Sequence, residues 1–151
     1  GNFGYKAKNL KLILKNKKVL KIFHYARFDL ALIKKYLGIL PSNVYCTKIA
    51  SKLARTYTDK HGLRELCKEL LGIEISKQQQ SSYWGANTLS KNQIKYAAND
   101  VLHLHNIKYE LDSILKSEKR YDLFLSILKF LPTRVKLDLS GWESTDIFAH
   151  S

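Results

Sequence analysis

Hydrophobic and polar positions in the first third of the chain alternate between helical spacing and short apolar runs. Leucine and isoleucine recur every three or four residues, with lysines between them, which predicts a helix over residues 9–17. The run 19–24 is apolar and partly β-branched, and predicts a buried strand. A second helix is expected over 28–37, because Gly38 suits its C-terminal cap.

The next segment repeats this order of strand and helix. Residues 43–47 predict a second short strand that leads directly into a helix ending near Ala54. Apolar spacing over 63–71 predicts a further helix, and Gly72 is placed to end it.

The remainder of the chain is predicted to be mostly helical. Ser90 and Gln93 match a capping box, which marks the start of a long helix. We expect a break near Ser117 and an end at Pro132, since proline disrupts a helix interior. The alternating residues 134–139 are expected to be extended.

Alternation of helices and strands is typical of an α/β fold. Two strands alone would leave unpaired edges and bury little apolar surface. We therefore predict a single α/β domain over residues 1–151 that is N-terminally truncated, so that its sheet lacks strands preceding Gly1. The expected core consists of Leu14, Leu20, Ile22, Leu30, Ile33, Val44, Ile49, Leu66, Leu70, Ile94, Val101 and Leu104.

Composition adds a charge argument. The 151 residues contain 26 Lys and Arg against 13 Asp and Glu, a formal net charge of +13, which favours a polyanionic partner, with nucleic acid first. A 45% apolar content excludes wholesale disorder. No apolar run approaches the about 20 residues of a membrane span, so no membrane partner is expected. Two cysteines, Cys46 and Cys67, are too few for a disulfide scaffold and favour a cytoplasmic location.

Asp29 is an isolated carboxylate in a basic region, since it is the only acidic residue among residues 1–40. It follows a predicted buried strand and opens a helix, the position at which α/β folds place catalytic groups. The alternative is that Asp29 only complements the helix dipole at the start of the helix.

A second candidate pair lies on the long helix. Tyr96 and Asp100 are one turn apart on one face, and the small Ala97 and Ala98 let a ligand approach. A carboxylate there could bind a metal while the phenol orients a water molecule. The alternative is a structural Tyr–Asp pair.

Together these segments resemble a known family. Residues 23–30 (FHYARFDL) and 96–101 (YAANDV) are similar to the second and third exonuclease motifs of the ribonuclease D family. These are DEDD-type 3′–5′ exonucleases in the subclass with Tyr in the third motif. The resemblance covers roughly 6–150 and includes the intervening segments 45–50, 61–66 and 76–78 with Trp84.

The resemblance implies a ribonuclease H-like fold, with helices on both sides of a mixed sheet. It implies hydrolysis of phosphodiester bonds at 3′ ends of single-stranded RNA or DNA with two Mg²⁺ or Mn²⁺ ions. Hard cations prefer carboxylate oxygen, and two of them stabilise the charge that develops during hydrolysis. Asp29 would then act mainly through water near one metal, Asp100 would ligate the other, and Tyr96 would hold the attacking water.

The first motif of that family, Asp-x-Glu, is absent from the chain. Two carboxylates cannot hold two Mg²⁺ ions tightly, so we expect the chain alone to be weakly active or inactive. A missing N-terminal segment or a second chain would have to supply the remaining acids. The alternatives are a non-catalytic nucleic-acid-binding module derived from such a nuclease, and a basic helical interaction protein without a metal site.

Five residues are candidates for nucleic-acid binding: His24, Phe28, Lys48, Lys77 and Trp84. Aromatic platforms beside basic groups are typical of single-strand binding. The ordinary alternatives are a structural hydrogen bond for His24 and packing under the loop for Trp84. His103 and His105 point about 200° apart on a helix, which argues against a zinc site.

Overall fold

The structure, a computed structural model, describes the backbone of residues 2–75 and 91–150 and the side chains of 6–75 and 102–150. Two compact units are present, residues 1–46 with 122–151 and residues 47–121. The regular elements are α1 Asn2–Lys15, β1 Lys21–Phe23, α2 Ala26–Leu37, β2 Val44–Cys46, α3 Thr47–Ala54, α4 Leu63–Leu66, α5 Lys91–Ser117 and α6 Tyr121–Leu137. Two π-helical turns, Cys67–Leu71 and Asp138–Trp142, follow α4 and α6.

The two expected strands are confirmed and form a parallel pair in the first unit. Lys21 lies opposite Val44 and Phe23 lies opposite Cys46. Helix α2 connects β1 to β2 and contacts both strands, which makes a β–α–β unit. It buries Ala26, Leu30 and Ile33.

Gly38 ends α2 as the sequence predicts. Its φ is +75°, in the left-handed region where glycine carries no penalty, and its N–H donates to the Lys34 carbonyl oxygen at 3.0 Å. Gly72 ends the first π-helical turn in the same way, with φ +67°. Both helix ends are therefore set by the local sequence, because glycine adopts the left-handed conformation that ends the helix.

The prediction that Pro132 ends a helix is wrong. Helix α6 continues through Pro132 to Leu137, so residues 134–139 are not extended either. A proline inside a helix costs about 3 kcal/mol because it loses one backbone bond and crowds the preceding turn. The buried side chains of Leu131 and Val135, on either side of it, supply the packing that offsets this cost.

The core of the first unit includes the aromatic pair Tyr45 and Phe124. The Phe124 ring is fully buried and meets the Tyr45 ring edge-on, with centroids 5.0 Å apart and an angle of 71° between planes. This is a favoured aromatic geometry. It joins β2 to α6, which are distant in sequence.

In the second unit, α3 packs against α5, and α5 contacts the first π-helical turn. Arg120 donates to the Leu53 carbonyl oxygen at 3.1 Å, which fixes the end of α5 to α3. Among the described residues of this unit, the buried apolar side chains are Ala50, Ala54, Leu66, Cys67, Ile75, Ile107, Leu111 and Leu115. The expected break near Ser117 is confirmed, because α5 ends there and α6 begins at Tyr121.

Part of the expected core is confirmed. Leu14, Leu30, Ile33 and Leu66 are buried. A second group of expected core residues is only half-buried: Leu20, Ile22, Val44, Ile49, Leu70 and Leu104. The side chains of Ile94 and Val101, and the predicted cap Ser90, lie outside the described residues.

No helix in the described part of the chain combines the length and the apolar character that crossing a membrane requires.

We expect Phe124→Ala to lower the free energy of unfolding by about 3–5 kcal/mol, because it removes a fully buried ring and leaves a cavity. The neighbouring Leu123→Ala is the control, since Leu123 is 56% exposed and should cost less than about 1 kcal/mol. Urea unfolding followed by circular dichroism measures both. Equal losses in the two variants would contradict the position of α6.

Candidate active site

Asp29 lies in the first turn of α2, directly after β1. Its backbone N–H donates to the Tyr25 carbonyl oxygen at 3.2 Å, which orders the turn. Within the described residues, its carboxylate has neither an ion pair nor a hydrogen bond. The side chain is half-buried, and this burial raises the pKa of Asp29 to about 6.

Burial and a helix dipole act in opposite directions on the pKa of Asp29. A carboxylate that only complements a helix dipole gains from ionisation, and its pKa falls. At Asp29 desolvation dominates, so the charged form is held where water does not fully stabilise it. A carboxylate in this state gains most from a proton or a cation that approaches its oxygens.

Two exposed aromatic residues precede Asp29 at the start of α2. Tyr25 is 46% exposed and Phe28 is 54% exposed, and their rings stack with centroids 5.9 Å apart and 12° between planes. Parallel exposed rings offer a face on which a nucleobase can stack. The sequence predicted Phe28 but missed Tyr25, although the spacing of three residues at a helix start indicates a shared face.

Arg27 anchors this first turn to the C-terminal segment. Its Nε and Nη2 donate to the two carboxylate oxygens of Asp138 at 2.6 and 2.7 Å, and Nη2 also donates to the Glu143 carbonyl oxygen at 3.0 Å. Arg134 donates to Asp138 at 3.0 Å as well. Hydrogen bonding from Arg27 is the main reason that the pKa of Asp138 is lowered. No local signal in the sequence indicates this pair, because 111 residues separate its partners.

His24 follows β1 and is half-buried. Its carbonyl oxygen accepts a hydrogen bond from the Cys46 thiol at 3.5 Å, and the Cys46 sulfur accepts the Ala26 N–H at 3.5 Å. Cys46 therefore connects the turn between β1 and α2 to β2, and both it and Cys67 are buried cysteines that form no disulfide. A role for the His24 side chain in nucleic-acid binding stays a prediction.

The other predicted site residues are described only in part. Tyr96 and Asp100 belong to the continuous helix α5, so their backbones are one turn apart, but their side chains lie outside the described residues. Lys77 and Trp84 lie outside the described residues altogether. Lys48 is half-buried on α3. The convergence of Asp29, Tyr96 and Asp100 stays a prediction.

Potential metal ligands do not gather elsewhere in the described structure. Within residues 6–75 and 102–150, no three His, Cys, Asp or Glu side chains come together as a metal site. The described residues therefore contain Asp29 but not the side chain of its predicted partner ligand Asp100.

A sequence profile of the 3′–5′ exonuclease domain matches residues 3–116, which is most of the chain. The chain belongs to the family of ribonuclease D-like 3′–5′ exonucleases. This confirms the resemblance that its second and third motifs predicted.

Ribonuclease D of Gluconacetobacter diazotrophicus is 37% identical over 122 residues, which cover 81% of this chain and 31% of that protein. The chain thus spans about a third of the length of such curated ribonuclease D relatives.

Solved structures extend the comparison to the fold of these exonucleases. Brucella melitensis NrnC is 55% identical, with a TM-score of 0.84 over 95% of this chain and 69% of that chain. It has also been solved bound to pGG and with bound Mg²⁺. Escherichia coli RNase D, 23% identical with a TM-score of 0.71 over 89% of this chain and 36% of that chain, shares the fold. The predicted α/β, ribonuclease H-like exonuclease fold is confirmed.

We expect Asp29→Asn to become more stable relative to the parent protein as pH rises from about 4 to about 6. The unfolded chain ionises Asp29 first, near its ordinary pKa of 3.8, whereas the folded chain keeps the proton until about pH 6. The folded state then binds more protons, so the parent's free energy of unfolding falls over this interval and levels off above it. Thermal unfolding in EDTA at pH 4, 5, 6 and 7 measures the difference.

The control for this comparison is Asp59→Asn, because Asp59 is an exposed residue in the loop after α3. An equal pH trend in both variants would contradict the assignment of the effect to burial at Asp29.

Proposed function

We propose that this protein hydrolyses phosphodiester bonds at the 3′ end of single-stranded RNA, using two divalent cations. The observation that carries the proposal is the half-buried Asp29 carboxylate, which has no cationic partner among the described residues and lies beside the stacked rings of Tyr25 and Phe28. A carboxylate suited to a cation and a surface suited to a base occur in the same turn. Membership of the exonuclease family gives both features a common purpose.

Two observations support the proposed substrate class: the net charge of this chain and the ligand of a similar solved structure. The net charge of +13 favours a polyanion, and its effect on binding should weaken as salt rises. NrnC of Brucella melitensis has been solved with pGG, a short nucleotide chain. We extend this to the present protein as a preference for short single-stranded RNA ends, and DNA is the competing substrate in the test below.

Oxygen ligands fit the proposed Mg²⁺ or Mn²⁺ ions. Asp29 offers a desolvated carboxylate, and hard cations prefer such oxygens. In this proposal Asp100 would hold one metal directly and Asp29 would act through water near the other. The cations would activate water and stabilise the leaving oxygen.

The chain's own residues divide the remaining work. Tyr96 holds the attacking water through its hydroxyl, and Phe28 with Tyr25 stacks on a base near the 3′ end. His24, Lys48, Lys77 and Trp84 hold the strand through phosphate and base contacts. The anchored first turn of α2 keeps Asp29 and the stacking surface at a fixed separation.

A two-metal site needs more carboxylates than this set provides. No Asp-x-Glu occurs in the 151 residues, so the proposed site takes its remaining acids from an additional segment or from a second chain. The same observation favours the second candidate function, a nucleic-acid-binding module without catalysis. We place the protein in the cytoplasm, where the buried thiols of Cys46 and Cys67 remain reduced.

We expect a protein completed with a strand that carries Asp-x-Glu to release nucleotides from the 3′ end of a 5′-labelled single-stranded RNA in Mn²⁺, and to stop in EDTA. Asp29→Asn should lower kcat by about 10- to 100-fold, as expected for a carboxylate that acts through a metal's water shell. Asp100→Asn should lower it further. Gel analysis of the labelled products gives both the rate and the direction of trimming, and a matched DNA strand tests the substrate preference.

Asp59→Asn is again the control variant and should trim at the parent rate. Strand binding without any metal-dependent shortening in the completed protein would instead favour the non-catalytic module.

Phe28→Ala tests the stacking surface. We expect KM for the RNA strand to rise by about 5- to 150-fold in the completed protein, because a base loses its aromatic partner. Tyr36→Ala removes another exposed ring of α2 and should leave KM unchanged. A fall in kcat with constant KM would contradict a binding role for Phe28.

A further inference from the structure

The second unit contains a surface pocket that shares no residue with the Asp29 site. Its volume is about 450 Å³, and its lining comes from the loop after α3, from α4 and from the following π-helical turn. The residues that line it include Arg55, Tyr57 and Glu69, together with Lys60 and Lys68. None of these residues has a role in the proposed hydrolysis.

Several hydrogen bonds hold the Arg55 side chain in place at this pocket. Its side chain is buried, and Nη1 donates to the Ser51 hydroxyl at 2.9 Å and to the Lys60 carbonyl oxygen at 2.7 Å. Nε donates to the Glu69 carboxylate. The Ser51 hydroxyl in turn lies 2.8 Å from His61 Nδ1. The loop that carries Tyr57 and Lys60 is therefore held at both sides by a satisfied network.

Tyr57 presents a large aromatic surface that is already positioned. Its side chain is 69% exposed, yet its hydroxyl donates to Glu69 Oε1 at 2.6 Å. The Arg55 guanidinium lies 5.9 Å from the ring centroid. An exposed ring that is fixed at its hydroxyl loses little side-chain entropy when a ligand stacks on it.

The charges around the ring favour an anionic ligand with a polar base. The lining contains three cationic residues, Arg55, Lys60 and Lys68, and two anionic ones, Glu65 and Glu69. Arg55 and Glu69 neutralise each other, so the two exposed lysines remain for phosphate oxygens. Glu65 is a hydrogen-bond acceptor for the amino group of a base.

We propose that this pocket binds a nucleotide, with the base stacked on Tyr57 and the phosphate at Lys60 and Lys68. The nucleotide is either free or part of a single strand, because both present the same base and phosphate. This inference goes beyond the proposed hydrolysis and requires no divalent cation. The structure supplies the three elements of such a site: a fixed exposed ring, two cations and a concave surface.

The test uses the whole chain in EDTA, so that metal-dependent chemistry plays no part. AMP, ribose 5-phosphate and a single-stranded oligoadenylate of six residues are titrated separately, and ¹H–¹⁵N spectra report where each binds. We expect saturable shifts centred on residues 55–69 with AMP, with the oligonucleotide or with both. Tyr57→Ala should weaken binding by about 5- to 150-fold, whereas Tyr57→Phe keeps the ring and should weaken it less.

The charge contribution is tested with Lys68→Gln, which should reduce the slope of log affinity against log salt by about one. Tyr109→Ala is the matched control, because Tyr109 is a 75% exposed ring of the same unit that does not line the pocket. Dispersed spectra of each variant show that it is folded.

Binding of AMP supports a free nucleotide as the occupant, and binding of the oligonucleotide alone supports a strand. The proposal is overturned if neither ligand gives saturable shifts at residues 55–69, or if Tyr57→Ala binds as tightly as the parent protein. Ribose 5-phosphate binding as tightly as AMP would also overturn it. Loss of trimming in the completed nuclease has no bearing on these results, so failure of the two proposals can be told apart.

Discussion

The bidentate ion pair between Arg27 and Asp138 fixes the first turn of α2, and the arrangement of the candidate active site depends on that turn. Tyr25, Phe28 and Asp29 all belong to it or border it. The planar guanidinium matches both carboxylate oxygens at once, which gives orientation as well as attraction. Burial of Leu30 and Ile33 holds the same helix against β1 and β2. Asp29 therefore has a defined position even though its own carboxylate has no bond in the described structure.

Asp29 and Asp138 show how neighbours decide the state of a partly buried carboxylate. Two guanidinium groups surround Asp138, and the hydrogen bonds from Arg27 lower its pKa, so its contribution to stability is lost as the solution becomes acidic. Asp29 is also partly buried, but no cationic side chain among the described residues pairs with it, so burial raises its pKa. Asp138 thus connects α2 to the C-terminal segment through its ion pair, whereas the charged form of Asp29 is disfavoured by burial. The second condition is typical of residues that bind metals or protons.

The second unit also contains an arginine–carboxylate pair. Arg55 is buried and pairs with one carboxylate oxygen of Glu69, whose other oxygen accepts a hydrogen bond from the Tyr57 hydroxyl. In each unit an arginine–carboxylate pair fixes a short segment that presents exposed aromatic surface. Such surface is suited to stacking on any nucleobase, and a net charge of +13 favours a polyanionic partner.

The sequence alone determined the features that depend on neighbours along the chain. The strands at 21–23 and 44–46, the glycine ends of α2 and of the first π-helical turn, and the place of Asp29 after a strand all follow from local pattern. The family, and with it the fold, followed from two short motifs.

Tertiary structure decided what local pattern could not. The path of α6 through Pro132 reflects the burial of Leu131 and Val135, and Arg27 finds Asp138 across 111 residues. Local sequence pattern does not indicate the fixed position of the Tyr57 ring, because its hydrogen-bond partner Glu69 lies twelve residues away in a different element. Propensity and spacing act over one or two helical turns, whereas burial and charge pairing are set by which distant elements meet, and that information exists only once the chain is folded.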